Sequence, residues 1–289
     1  MRSLLRPFRD VNMGRFQKRT KKILRRLTAT IRCWPDFIII GTQKGGTTSL
    51  YECLVQHPWV VPARVKETRF FSRHFDLGPA WYRANFPTRL YKAYAKAVRE
   101  QSLITGEATP YYMFHPLAPR RIAQLVPQAR FIALLRNPVD RAYSHYRHVV
   151  RKGIETLSFE EAIEAEPARL RGEREKMLAD ENYRGLRYGF HSYLARGIYV
   201  DQLKVWFDLF PREQILILNS ERFYGDQATA FGQILAFLDL PEWKLAEPKK
   251  SNSGIYALMK PATREKLIEY FKPYNEQLYD LIGQDYNWD

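Results

Sequence analysis

The sequence has few cysteines and no long apolar run, and both absences limit the kinds of protein it can encode. Its 289 residues include only Cys33 and Cys53, too few for a disulfide framework and not at a metal-ligand spacing. No stretch approaches the roughly 20 apolar residues of a membrane-spanning helix. Arginines interrupt the first residues, where a secretory signal would be apolar. We therefore expect a cytoplasmic protein.

Acidic residues are scarce relative to basic ones, and the imbalance is concentrated at the amino terminus. The chain has 46 Lys and Arg against 31 Asp and Glu, a formal net charge of +15. Residues 1–34 hold eleven basic residues and one acidic residue, Asp10, which leaves +10 in this leader and +5 in the remainder. The leader is therefore the part of the chain suited to an anionic partner.

Apolar residues recur at helical spacing among the basic residues of the leader: Phe16, Ile23, Leu24, Leu27 and Ile31. One interpretation is a basic tail that packs a few of these side chains on the domain behind it. A second is peripheral contact with an anionic membrane surface. Nucleic acid is not expected as a partner, because the rest of the chain has no recognised DNA- or RNA-binding motif.

From Pro35 onward, short apolar segments alternate with helical ones, which predicts an α/β fold. The sheet should be central, mostly parallel and flanked by helices, because its strands read as fully buried. The predicted strands are 37–41, 103–107, 130–135 and 214–218. The predicted helices are 46–56, 138–151, 197–210, 227–239 and 261–282, the last interrupted near Pro273. The charged segment 155–190 predicts a helical insertion or lid within a single domain, 35–289.

Residues 41–49, GTQKGGTTS, nearly form a P-loop after the first predicted strand. Gly41 and Gly46 have the separation of the pattern G-x-x-x-x-G-K-[ST], and Thr48 takes the hydroxyl position. Thr47 stands in place of the lysine, so Lys44 is the available cation. Glycines expose backbone N–H groups to an anion, and the helix that follows favours phosphate at its N-terminus. The predicted anion-binding residues are Lys44, Gly45, Gly46, Thr47, Thr48 and Ser49.

A second cationic site is predicted after the strand 130–135. P-loop NTPases place a magnesium-binding Asp at the end of a later strand, whereas this chain has Arg136. Ser144 lies three residues after Arg141 on the helix that follows, so a hydroxyl and a guanidinium share one helix face. A second phosphate would suit this site. The alternatives are a strand-end salt bridge for Arg136 and an ordinary surface serine for Ser144.

With these motifs the chain resembles the 3′-phosphoadenylyl-sulfate (PAPS) dependent sulfotransferases, especially the branch of heparan sulfate sulfotransferases and their bacterial relatives. The segment GTQKGGTTSL is similar to the family's 5′-phosphosulfate loop, and LRNPVDRAYSHY to its 3′-phosphate motif. The resemblance covers nearly everything after Pro35. Further similar blocks are HPWVVPARVKETRFF, TGEATPYY, RGIYVDQLKVWFDLFP and ALMKPATREKLIEYFKPYNEQLYDLIG.

The resemblance implies a three-layer, P-loop-like fold and transfer of a sulfuryl group from PAPS by in-line displacement, without a metal. The acceptor would be a hydroxyl or amine of a carbohydrate or glycolipid, and PAP would be the nucleotide product. Lys44 would stabilise the leaving phosphate, while Arg136 and Ser144 would hold the 3′ phosphate. Family members also place a nucleotide-covering loop before the last helix. Its counterparts here would be Lys249, Lys250 and Ser251, although the local pattern differs from that of the animal enzymes.

The acceptor must lose a proton, and two glutamates are candidates for the base. Glu67 lies in KETRFF, where the resemblance places the catalytic glutamate. Glu107 lies at a predicted strand end and is interpreted first as structural or acceptor-orienting, and second as the base. His74 is a candidate acceptor contact.

Two other classes of function stay open at this point. One is a P-loop nucleotide kinase-like enzyme, which would require magnesium. The other is a non-catalytic PAP-binding protein, which would bind PAP without turnover. The presence of both Lys44 and Glu67 argues against a degenerate, inactive member.

Overall fold

A computed structural model describes residues 23–245 and 259–288. Its centre is a five-stranded sheet in the order β2-β3-β1-β4-β5, and every neighbouring pair is parallel. The strands are β1 (Phe37–Gly41), β2 (Val60–Pro62), β3 (Ile104–Ala108), β4 (Arg130–Leu135) and β5 (Ile215–Asn219). The predicted α/β class is confirmed.

Helices cover both faces of this sheet. Residues 23–27 form α1. The other α-helices among the described residues are α2 (Thr47–Leu54), α3 (Phe70–Arg73), α4 (Gly78–Arg83), α5 (Arg89–Arg99), α6 (Ala118–Leu125), α7 (Pro138–Arg151), α8 (Phe159–Leu170), α9 (Glu173–Ala179), α10 (Leu186–His191), α11 (Tyr199–Phe207), α12 (Ser220–Gly225), α13 (Gln227–Phe237) and α14 (Pro261–Ile282). Short 3-10 segments lie at Ala29–Ile31, Phe75–Leu77, Ala195–Gly197 and Arg212–Gln214.

Alternation along β1 divides the core into two apolar layers. Ile38 and Ile40 pack in one cluster with α6 and α11 side chains, whereas Phe37 and Ile39 pack in another with α2 and α13 side chains. Every residue of β1 is buried. A strand with both faces covered must be apolar at successive positions, which is why these strands read as continuous apolar runs.

The strand predictions are confirmed for β1 and β4 and differ by one residue at each end for β3 and β5. Strand β2 was not predicted from the sequence. This strand has only three residues, lies at the sheet edge and ends on Pro62, which has no N–H for the ladder. Its pattern is too short and too exposed to be distinguished from a loop.

The five predicted helices are present as α2, α7, α11, α13 and α14, with shorter ends for three of them. The interruption expected near Pro273 is wrong, because α14 continues through it. Pro273 is exposed, so water can bind the carbonyl that loses its helical donor. Helices α3, α4, α5, α6 and α12 were not predicted.

The segment 155–190 is helical and has no strand, as predicted. Two of its buried carboxylates attach it to the chain before α11. Glu166 accepts hydrogen bonds from the backbone N–H groups of Leu194 (2.7 Å) and Ala195 (2.8 Å), and Glu155 accepts one from the Tyr193 hydroxyl (2.8 Å). The insertion is thereby fixed to the body at residues 193–195.

The described part of the leader is attached through arginines. Arg25 donates to the carbonyls of Ala84 (2.6 Å) and Phe86 (3.1 Å), and Arg32 also donates to Phe86 (2.8 Å). The side chains of Ile23, Leu24, Leu27 and Ile31 are exposed. The interpretation that the leader packs its apolar residues on the domain is therefore wrong for these four, because hydrogen bonds to backbone carbonyls hold this segment; Phe16 lies outside the described residues. No described helix is long and apolar enough to cross a membrane.

We predict that Glu166 makes the stability of the protein depend on pH. Burial raises the pKa of Glu166 from 4.5 to about 7, so the folded state binds this proton more tightly than the unfolded state does. The stabilisation that the protonated Glu166 carboxyl provides is complete below the pKa of the unfolded state and disappears as pH rises through about 7. Relative to Glu166→Gln, the wild-type unfolding free energy should fall by up to about 3 kcal/mol between about pH 5 and pH 8.

Urea denaturation of both proteins across this range measures the difference. Glu164→Gln, on the exposed side of the same helix, is the matched control and should follow the wild type. Parallel curves for wild type and Glu166→Gln would contradict the assignment.

Candidate active site

The predicted anion-binding segments meet at the carboxyl edge of the sheet. The loop 42–46 follows β1, and Arg136 follows β4, which pairs directly with β1. The connection after β1 leads to β2 on one side of the sheet, and the connection after β4 leads to β5 on the other. Such a switch point leaves a crevice in which open α/β sheets bind ligands.

Backbone and hydroxyl contacts fix the loop against its neighbours. The N–H of Thr42 donates to Leu134 (3.0 Å), the N–H of Gly45 donates to Thr42 (2.9 Å), and the Ser220 hydroxyl donates to the Gly45 carbonyl (2.8 Å). Lys44 has φ 72°. The loop is thus held in its turn by β4 and α12, which leaves the first-turn N–H groups of α2 directed away from the helix.

Two glycines are required here because the loop packs tightly. A Cβ at Gly45 would lie 2.4 Å from the Leu134 carbonyl oxygen. Gly46 has φ 100°, and a Cβ there would lie 2.5 Å from the Tyr224 hydroxyl. Tyr224 also bonds the Ser49 hydroxyl (3.2 Å). Ser49 is therefore engaged inside the protein.

Four cations lie in or near the loop: Lys44, Arg136, Arg151 and Lys152. Within the described residues none of them forms an ion pair with a carboxylate, although Lys152 interacts with Glu67 at longer range. Arg136 donates to the backbone carbonyl of Lys44 (3.2 Å), so the two predicted cationic sites adjoin. Burial lowers the pKa of Lys44, and repulsion from the other three cations lowers it further. An anion bound among them would relieve this repulsion.

Helix α7 carries the remaining residues of the second cationic site. Asn137 caps its start by accepting from the N–H groups of Val139 (3.0 Å) and Asp140 (3.3 Å). Ser144 is 9% exposed. Arg141 is fully buried and donates to the Tyr193 carbonyl, while its Nε and Nη1 have no hydrogen-bond partner among the described residues. The Arg141 guanidinium therefore anchors the backbone at Tyr193, and two of its nitrogen donors have no partner among the described residues.

Glu67 lies next to the loop because Lys66 connects them. The Lys66 ammonium donates to the Thr48 hydroxyl (2.5 Å) and lies 3.6 Å from a Glu67 oxygen. Arg69 pairs with the other Glu67 oxygen (2.9 Å). The Glu67 side chain is 32% exposed. The candidate base is thus partly accessible and faces the anion-binding loop through one lysine.

Comparison with known proteins identifies the family of this chain. The sulfotransferase domain family matches residues 34–257, which is most of the chain. The chain belongs to the sulfotransferase family. The prediction made from its two motifs is thereby confirmed at the level of the family.

Individual relatives of this sulfotransferase come from animals, an amoeba and a bacterium. The mouse protein named heparan sulfate glucosamine 3-O-sulfotransferase 6 is 30% identical, over 89% of this chain and 75% of that protein. The membrane-associated sulfotransferase kil1 of Dictyostelium discoideum is 29% identical, over 89% and 67%. A sulfotransferase crystal structure from Alicyclobacillus acidocaldarius has 33% identity and a TM-score of 0.66, over 89% of this chain and 99% of that one.

Glu107 of this sulfotransferase is fully buried within β3. Five donors from four residues bond it: the hydroxyls of Thr109 (2.6 Å), Thr68 (2.7 Å), Tyr82 (2.8 Å) and Tyr112 (3.1 Å), and the N–H of Thr68 (3.2 Å). Burial raises its pKa, and the donors oppose that rise. This geometry favours the structural interpretation of Glu107 over contact with an acceptor. Since Thr68 follows Glu67, the network fixes the backbone beside the candidate base.

The other predicted contacts are less constrained. His74 is partly buried beside Trp81 (5.4 Å between ring centroids), and burial lowers its pKa. It stays a candidate acceptor contact. Lys249, Lys250 and Ser251 lie outside the described residues. Within the described part of the chain, no group of three or more His, Cys, Asp or Glu side chains could hold a metal ion.

Several residues of this site were not predicted from the sequence. Lys66 directly precedes Glu67, and this adjacency is the feature of the sequence that could have identified it as a site residue. Arg196 is buried, bonds the Gln43 side chain in the loop and donates to Gly189 (3.0 Å). Tyr224 and Ser220 reach the loop from about 175 residues further along. No local pattern could reveal contacts over such separations.

We predict that Glu107→Ala destabilises the sulfotransferase by about 3 kcal/mol or more, because it leaves buried donors without an acceptor. Urea denaturation measures the unfolding free energy. Glu269→Ala, on the exposed face of α14, is the control and should change it little. A loss no larger than that of the control would show that the network does not stabilise the fold.

Proposed function

We propose that this sulfotransferase transfers the sulfuryl group of PAPS to a hydroxyl or amine of a carbohydrate or glycolipid acceptor. The observation that carries the proposal is the adjacency of two cationic sites, at Lys44 and Arg136, on one edge of the sheet. PAPS carries a 5′ phosphosulfate and a 3′ phosphate, so its charge lies at two separate places. A donor of this shape matches two neighbouring cationic sites better than a ligand with one anionic end does.

The residues of the loop fit the 5′ end of such a donor. Gly45 and Gly46 let the loop pack closely on Leu134 and Tyr224, and α2 offers its first-turn N–H groups. Lys44 and the partly exposed Thr48 add side-chain donors, whereas Thr47 and Ser49 are buried and contribute through the backbone. Arg136 at the end of β4 and Ser144 on α7, the helix that follows it, support a site for the 3′ phosphate.

The chemistry assigned to PAPS is in-line displacement: the acceptor oxygen or nitrogen bonds to sulfur as the bond to the leaving phosphate oxygen breaks. Lys44 would stabilise the negative charge that develops on that oxygen. Glu67 would take the proton from the acceptor. Lys66, which contacts both Thr48 and Glu67, would hold the base toward the loop. Glu107 would keep the 67–68 backbone in place from inside the protein.

Cations beyond the loop support an acceptor that is itself anionic. Arg73 interacts electrostatically with Arg69 and Arg184, and Lys152 with Arg69 and Arg73. A cleft of about 240 Å³ lies between residues 72–76 and 181–184, so the helical insertion forms one of its walls. Its lining includes Arg73, Arg121 and Arg184 against Asp76 and Glu181, and Arg121 is paired with Glu181. Saccharides that carry carboxylate or sulfate groups would therefore interact chiefly with Arg73 and Arg184. The relatives named heparan sulfate sulfotransferases agree with this class of acceptor.

The kinase alternative is disfavoured by the family and by Arg136, which stands where a P-loop NTPase has a magnesium ligand. Isothermal titration calorimetry tests the donor directly. We expect PAP to bind without magnesium, and ATP with magnesium to bind more weakly. PAP binding without turnover on any acceptor in a panel of sulfated, carboxylated and neutral saccharides, glycolipids and phenols would favour the non-catalytic alternative.

We predict that Lys44→Ala lowers the rate of sulfuryl transfer by roughly a hundredfold or more, because it removes a cation from the developing charge. Transfer of labelled sulfate from PAPS measures the rate. Lys204→Ala, an exposed lysine of α11, should keep wild-type activity. Full activity in Lys44→Ala would remove Lys44 from the reaction.

We predict that Glu67→Gln separates turnover from binding. Loss of the base should lower transfer by about 10² to 10⁴. The dissociation constant of PAP should stay nearly unchanged, because the amide keeps the shape of the carboxyl. Glu265→Gln, on the exposed face of α14, is the control for both measurements. If Glu67→Gln turns over at the wild-type rate, another group is the base.

A further inference from the structure

Exposed apolar side chains of the described residues are concentrated on two neighbouring segments. Every large apolar side chain that is more than half exposed lies on α1 or α5, from 51% for Ile23 to 75% for Leu90. We call these six side chains, together with Ile31 (48% exposed) and Tyr91 (46%), the α1–α5 surface: Ile23, Leu24, Leu27, Ile31, Leu90, Tyr91, Tyr94 and Val98. Scattered exposed apolar residues need no explanation, but such a concentration indicates a partner.

Helix α5 is amphipathic, and its apolar stripe lies in water. Leu90, Tyr94 and Val98 follow at intervals of four, so they share one face of the helix. Only Ala95 of this helix is buried. The helix is instead attached through Lys92, whose ammonium bonds both oxygens of Asp36 (2.9 Å each). Folding of the domain therefore does not account for the stripe.

Helix α1 has the same inverted arrangement. Arg25 lies against the protein, where it donates to two carbonyls, while Ile23, Leu24 and Leu27 are exposed. Burial lowers the pKa of Arg25 to about 10, yet it stays charged at neutral pH. A charged side chain inside and aliphatic ones outside is the reverse of what solvation alone favours.

Hydrogen bonds join the chain that follows α1 to the start of α5. Arg32 and Thr88 form an isolated antiparallel bridge, and the N–H of Cys33 donates to the Pro87 carbonyl (2.9 Å). Arg89, the first residue of α5, donates to the Thr30 carbonyl (3.0 Å). Residues 30–33 are thus held beside the start of α5.

We propose that the α1–α5 surface docks on an anionic lipid bilayer, with α5 as the main inserting helix. The charge of the region selects this partner: the leader carries +10, and α5 contains Arg89, Lys92, Lys96 and Arg99 without an acidic residue. Basic residues beside an apolar stripe are typical of helices that lie in the interface of anionic membranes. Tyrosines such as Tyr91 and Tyr94 suit that depth, because each ring is apolar with a polar tip.

A second copy of the chain is the other candidate occupant, and the charge argues against it. Two copies that met through this surface would bring two strongly basic leaders together. An anionic bilayer instead attracts each basic residue near its surface by about 1 kcal/mol.

The docking would also orient the active site. Asp36, which binds α5, precedes β1, whereas the loop with Lys44 follows the opposite end of β1. A strand of five residues puts roughly 15 Å or more between the two. A protein that docks through α5 therefore presents its site on the side away from the bilayer. This favours acceptors that reach beyond the membrane surface, whichever donor the enzyme uses.

Co-sedimentation of the full chain with vesicles tests the proposal. The vesicles are phosphatidylcholine with and without phosphatidylglycerol. We expect binding to the anionic vesicles that weakens as sodium chloride is added. The triple variant Leu90→Ser, Tyr94→Ser, Val98→Ser should lose about tenfold or more in partition. The variant Lys96→Glu, Arg99→Glu should lose binding to anionic vesicles selectively.

The matched control is Val205→Ser, Leu209→Ser, Tyr270→Ser, which removes three exposed apolar side chains elsewhere and should bind like wild type. Unchanged thermal unfolding and PAP titration of the α5 variant would show that it is folded. Wild-type partition of that folded variant would overturn the proposal. So would a failure of the wild type to bind, or a wild-type dimer that the α5 variant converts to monomer, since the latter assigns the stripe to a second copy.

Discussion

Electrostatic repulsion among cations at one edge of the sheet is the constraint on which the proposed site depends. Lys44, Arg136, Arg151 and Lys152 interact there, and none of them forms an ion pair with a carboxylate within the described residues. Such an arrangement costs free energy in the protein alone, and bonds that do not involve these charges have to hold it. The loop is fixed by β4 and Ser220, and α7 is fixed by its cap and by Arg141. A ligand with two anionic groups would turn the same repulsion into attraction.

The two glutamates near this edge differ because their environments differ. Glu107 is enclosed by five donors, so its oxygens are fully engaged and it can act only on the protein. Glu67 is partly exposed between Lys66 and Arg69. Lys66 and Arg69 are themselves partly exposed, so they have room to move when an acceptor enters, whereas the buried network around Glu107 has none. The division of roles between a proton acceptor and a structural support follows from this contrast in access.

The parts of the molecule that could be predicted from the sequence are those with local patterns. The buried strands β1 and β4, the loop 41–49 and the helix α7 each have a continuous pattern that determines them. Once β1 and β4 are known to be parallel neighbours, Lys44 and Arg136 must lie at one edge. The strand β2 is too short for its pattern to be read. The contacts of Tyr224 with the loop and of Tyr82 with Glu107 depend on tertiary packing, so no local pattern contains them.

In the leader, the pattern of apolar residues predicts the wrong face of the helix as the one that contacts the domain. Apolar residues at helical spacing predict a helix that packs inward, and in most proteins the inward face is the apolar one. Here the carbonyls of Ala84 and Phe86 offer acceptors at the point of attachment, and Arg25 and Arg32 satisfy them. Once arginines make the attachment, the helix must turn its aliphatic side outward. The same rule applies to α5, where Lys92 bonds Asp36. A basic, amphipathic segment can therefore dock on its own domain through its charges and leave its apolar side for a partner.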